Sequence, residues 1–143
     1  MFDRASQCIV ALRAALFVCS LPFSVRILSL PALLDRIGSR DRRTRRGAVV
    51  NVDRTVAVVR RVCRLPMFRL SIFPRPCLLE SLTLYHVLSR TNTDVRIEVG
   101  VRKDDSGVLR AHSWIVRAGE RPGLDPGCGF RTVYAHNARV HET

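Results

Sequence analysis

With 143 residues, 47% of them hydrophobic, the chain is long enough for one domain with a real core, which excludes wholesale disorder. Its 24 basic residues against 12 acidic ones leave a net charge of +12, nearly all of it arginine because Lys103 is the only lysine, so the surface attracts acidic peptides, nucleic acid or anionic membranes. Five cysteines (Cys8, Cys19, Cys63, Cys77, Cys128) are odd in number and form no C-x-x-C pair, which argues against a disulfide framework or zinc ribbon and for a reducing, cytoplasmic setting.

The chain starts with an apolar stretch from Cys8 to Leu34. Arg13 and Arg26 bracket an uncharged run, Ala14 to Val25, that contains Pro22 and falls short of the roughly 20 residues a bilayer span needs. No A-x-A-like cleavage site stands out, so buried helices are expected rather than a signal peptide or a stable membrane span. Ile9, Leu12, Leu16 and Val18 recur at near-helical spacing up to Pro22, and a second stretch from Phe23 to Ile37 carries Ile27, Leu28, Leu30, Leu33 and Leu34, with Gly38 as its cap. Arg40 to Gly47 reads as a charged linker. Val49 to Arg64 forms an amphipathic helix with Val52, Val56, Val59 and Cys63 on one face, stopping near Leu65-Pro66.

Composition shifts at Phe73-Pro74-Arg75-Pro76. Pro76 suits the first helical position, which places Cys77 in the first turn of a helix running to about Arg90, with Leu78, Leu79, Leu82, Tyr85 and Leu88 as its apolar face. From Val95 the period becomes two: Val95, Ile97, Val99 and Val101 alternate with Arg96, Glu98, Gly100 and Arg102, a half-buried strand. Lys103 to Gly107 is turn chemistry, and Val108 to Arg117 returns as the second strand of a hairpin. Ala118 to Gly123 turns again before Leu124-Asp125-Pro126, and a short strand is expected around Thr132 to Tyr134 before a loose tail. The organisation is therefore a helical region over 1–70 and a helix-plus-sheet core over 71–143.

Cys77 in a first helical turn lies among unpaired backbone N–H groups at the positive end of the helix, which favour a thiolate and could hold an oxyanion. His112, 35 residues on in the second strand, can act as its base, and Asp125 can hold the imidazole tautomer. Trp114 shares a strand face with His112. A free cysteine also has a plain reading as a small buried hydrophobe, and a lone strand histidine as a structural one; the joint placement favours catalysis. His86 is about 13 Å along the same helix from Cys77 at ~1.5 Å per residue, too far to be its base. His136 and His141 are expected to be solvated in the polar tail, Glu120 falls in a turn, and Asp104 and Asp105 are turn residues. Cys63 and Cys128 have no base beside them in the pattern. The cluster Arg40, Arg42, Arg43, Arg45 and Arg46 has no interleaved aromatic residue, so a solvated linker or a docking surface for an acidic partner fits it better than nucleic acid.

Arg75 to Leu82 (RPCLLESL), Val95 to Arg102 (VRIEVGVR) and Ala111 to Val116 (AHSWIV) resemble the lasso-peptide leader peptidases, transglutaminase-like cysteine proteases of bacterial ribosomal-peptide biosynthesis. The resemblance implies an α+β fold: a papain-like, transglutaminase-like core, with a cysteine-bearing helix packed on an antiparallel sheet, preceded by an all-helical N-terminal region. It implies hydrolysis of the bond between leader and core, with Cys77 as nucleophile, His112 as general base and acid and Asp125 as orienting carboxylate. It implies no cofactor, a precursor peptide as substrate, a separate leader-recognition protein, and a lasso macrocyclase acting next. Acyl transfer on the same fold and a non-enzymatic basic module binding nucleic acid or an acidic partner are the alternatives.

Overall fold

Apolar residues three and four apart wind the first part of the chain into helices, and period-two alternation lays the second part out as strands. The computed structural model describes residues 4–38, 51–70, 75–91, 94–117 and 129–137. Its elements are α1 (Arg4–Ile27), α2 (Leu30–Gly38), α3 (Val52–Cys63), a short 3-10 turn (Pro66–Arg69), α4 (Pro76–Leu88), β1 (Val95–Lys103), β2 (Leu109–Arg117) and β3 (Arg131–Asn137). The three strands form one antiparallel sheet in the order β2-β1-β3. The fold is mixed α+β, with the helices packed on one face of the sheet. The charged linker at Arg40 to Gly47 and the turn at Ala118 to Gly123 lie outside the described residues.

α4 is the central element. Pro76 opens it, since it lacks an N–H at a position where no helical bond needs one, and the Arg75 carbonyl accepts the Leu79 N–H at 2.9 Å. From Ser81 to Leu88 every residue is buried, because α1 and α3 cover one side and β1 and β2 the other. A helix buried all round needs no polar stripe, and its serine and threonine hydroxyls turn inward: Ser81 Oγ donates to the Cys77 carbonyl and Thr83 Oγ1 to the Leu79 carbonyl, each at 2.7 Å. One core cluster runs from Ala14, Val18 and Leu21 through Leu34 and Val59 to Leu79, Leu82, Tyr85, Val95 and Ile97. It draws on residues from both sides of position 70.

Three sequence-based expectations change. The helix does not stop at Pro22; α1 continues to Ile27 and the break falls at Leu28-Ser29. Pro22 cannot donate to the Val18 carbonyl, but Val18, Leu21 and Pro22 are all buried, and that packing offsets the missing bond. As a continuous helix α1 is long and apolar enough to cross a membrane by length and composition, and only 22% of its apolar window is buried. The expectation of buried helices therefore holds for one face of α1 and not for the other. Finally, β3 is a seven-residue strand rather than a short one in a loose tail, and His136 on it is not solvated: its side chain is 13% exposed, 3.9 Å from Asp35 and edge-on to Tyr85 at 5.9 Å.

The β1–β2 turn is closed by Asp104. Its Oδ1 accepts from the Ser106 N–H (3.1 Å), the Ser106 hydroxyl (2.6 Å) and the Val108 N–H (2.9 Å), and its Oδ2 from Arg110 Nε (2.9 Å). Gly107 takes the positive φ of 79° that the reversal needs. The Ser106 and Arg110 hydrogen bonds hold the Asp104 carboxyl below its ordinary value of 3.8. A lowered carboxyl stabilises the fold above its unfolded value and loses that contribution as pH falls through the folded one. Amide exchange at Ser106 and Val108 is therefore expected to accelerate below about pH 4 in the wild type, and to be fast and independent of pH in that range, beyond intrinsic chemistry, in Asp104→Ala. Equal protection in the two proteins would show that the carboxylate does not hold the turn.

Candidate active site

Cys77 occupies the second helical position of α4, half-buried, one residue after Pro76. α4 packs on β2, the outer strand that carries His112. Gly100 is the residue paired with His112 across the ladder.

Paired residues of an antiparallel sheet point to the same side. Ile97 and its partner Ile115 pack into the helical core, as does Tyr134. Gly100, His112, Trp114 and Glu98 therefore share the reverse face. There the His112 ring stacks on Trp114 (centroids 5.9 Å apart, 25° between planes) and lies tilted against Phe130 at 5.4 Å, with the Arg102 guanidinium 4.9 Å from the Phe130 centroid. The expected sharing of one face by His112 and Trp114 is what the structure has. Cys77 thus heads the helix that packs on the core face of the sheet, whereas His112 lies on the reverse face with its ring against Trp114 and Phe130. Asp125 lies outside the described residues, as do Glu120, Cys128 and His141.

Glu98 is the site residue that pattern reading passes over. Strand alternation assigns it to the solvent side of β1, yet it has no exposed surface. Its carboxylate pairs with Arg96 at 2.7 Å and accepts from Thr132 Oγ1 at 3.2 Å on β3. The missing signal is cover from the neighbouring strand: the Trp114 ring of β2, itself 9% exposed, lies over Gly100, so β1 is buried on both sides rather than half-buried.

The other cysteines and histidines separate cleanly. Burial pushes the Cys63 thiol up, only partly offset by its hydrogen bond with Thr83. His86 is buried and stacked on Phe17 at 4.0 Å. Among the described residues no group of three or more His, Cys, Asp or Glu side chains could hold a metal ion. Under native conditions a small alkylating reagent is expected to label exposed Cys8 and Cys19 and to spare buried Cys63, read by peptide mass; labelling of Cys63 at the rate of Cys8 would contradict its burial.

A family model for the transglutaminase-like superfamily matches residues 15–135, a span that includes α4, all but two residues of β3 and both Cys77 and His112. The chain belongs to the transglutaminase-like superfamily. Members of this superfamily are usually catalytic, as cysteine proteases or acyltransferases. No curated protein and no solved structure matches the chain. The transglutaminase-like assignment accounts for the cysteine at the head of a buried helix and for the antiparallel sheet beside it.

Proposed function

We propose that this transglutaminase-like protein is a cysteine peptidase that removes the leader from a lasso-peptide precursor. The observation that carries the reading is the superfamily match across residues 15–135, within which Cys77 heads α4 and His112 lies on β2. The likeness of residues 75–116 to the lasso-peptide leader peptidases narrows the substrate to a ribosomally made precursor. A separate leader-recognition protein then presents the peptide, and a lasso macrocyclase takes the released core.

The chemistry divides into two steps. The Cys77 thiolate attacks the carbonyl carbon at the leader–core junction, the first-turn N–H groups face the developing oxyanion, and protonated His112 gives its proton to the leaving amine of the core. The C–N bond breaks and a thioester to the leader remains. Water then attacks the thioester while His112 takes its proton, and the leader leaves as a free acid with Cys77 restored. Asp125 orients the ring in this scheme. The proton transfers require β2 to bring His112 from the reverse face of the sheet to within hydrogen-bond reach of Cys77.

Product mass tests the reading. Incubation of the protein with a candidate precursor and its leader-binding partner is expected to release core peptide and a leader ending in a free carboxylic acid. A leader carrying an amide adduct when an amine is supplied would replace hydrolysis by acyl transfer. An intact precursor, with a leader-binding protein shown to bind it, would overturn the assignment.

A further inference from the structure

Every charged residue on α1 is an arginine: Arg4, Arg13 and Arg26, with no acid along the helix. One face of α1 is committed to the core, where Ala14, Val18 and Leu21 have no exposed surface and the helix packs on α3 and α4. The opposite face is equally apolar and open. Ile9, Leu12, Leu16, Phe23 and Ile27 are 52%, 61%, 63%, 71% and 79% exposed. Spacings of three, four, seven and four residues keep them in one stripe, and the same 100° geometry puts Arg13 along one border and Arg26 along the other.

We propose that this stripe docks α1 in the plane of an anionic bilayer surface, with the apolar side chains in the headgroup–acyl boundary and the arginines on lipid phosphates. The proposal stands apart from the peptidase chemistry and survives if that chemistry is different. Three observations favour this occupant. An apolar stripe about 27 Å long from Ile9 to Ile27, rimmed by arginine, matches an interfacial helix. A membrane-spanning pose would pull Ala14, Val18 and Leu21 out of the core they complete. A second copy on the same stripe would set arginine against arginine, between chains each carrying +12.

Flotation of the full-length protein with lipid vesicles tests it. Binding is expected to vesicles holding about 30% phosphatidylglycerol in phosphatidylcholine, to be weaker on phosphatidylcholine alone, and to fall with added salt. Leu16→Glu with Phe23→Glu is expected to lower the partition at least tenfold while the unfolding midpoint stays at the wild-type value, since both side chains face solvent. Arg13→Gln with Arg26→Gln, which leaves the stripe intact, is expected to cost roughly fivefold per arginine on the anionic vesicles only. Four results would overturn the proposal: no flotation, equal binding by the glutamate variant, a dimer dispersed by that variant without vesicle binding, or resistance to alkaline extraction as a spanning helix would show.

Discussion

Cys77→Ala is expected to abolish leader cleavage, lowering the rate at least ~10⁴-fold while leaving the fold intact. The fold survives because Cys77 is half-buried in the first turn of α4, where alanine keeps the helix and opens little space. The rate does not survive, because neither a methyl group nor water can form the thioester. His112→Ala should cost a similar factor, and the double variant no more than either single one, because nucleophile and base act as a unit. That non-additivity separates catalysis from stability, where losses at distinct positions would add. Precursor turnover followed by mass in all three variants provides the check; activity of Cys77→Ala within tenfold of wild type would remove Cys77 from the mechanism.

Gly100→Ala is expected to lower stability by about 1–3 kcal/mol and to depress activity with it. A Cβ at this position would meet Trp114 Cη2 at 2.6 Å, Trp114 Cζ3 at 2.9 Å and the Arg131 carbonyl oxygen at 3.0 Å. The carbonyl belongs to the β3 backbone and cannot step aside alone. The Trp114 ring is buried and stacked against His112, so any shift it makes carries the imidazole with it. Thermal unfolding should show a midpoint lower by roughly 3–10 °C. Introduced beside Trp114→Leu, Gly100→Ala should cost at most half as much, since the tighter of the two obstructions has gone. An unchanged midpoint in the single variant would mean the close approach of Trp114 is not a constraint.

The readable parts of this protein are those whose signal lies in consecutive residues. Pro76 followed by an apolar run marks the start of α4 and puts Cys77 in its first turn. Alternation from Val95, turn residues at Asp104 to Gly107, and a second run to Arg117 give the hairpin, whose register, with Gly100 opposite His112, the structure supplies. The odd, unpaired cysteines point away from disulfides. These features follow from backbone geometry and solvent alone, so local pattern suffices for them.

What only the tertiary structure decided concerns coverage, which depends on segments far apart in the chain. Pro22 stays inside α1 because α3 and α4 bury the turn around it, at no cost visible in the local sequence. Glu98 is buried because Trp114 and Thr132 close over the reverse face of β1, and His136 is sheltered because β3 brings it to Tyr85 and Asp35. The side of the sheet on which His112 lies follows from which of two apolar faces the helices cover. By itself the sequence determined the elements and the order of the reactive residues along them. Packing between distant elements determined which faces see water, because burial is a property of neighbours in space and period alone does not name them.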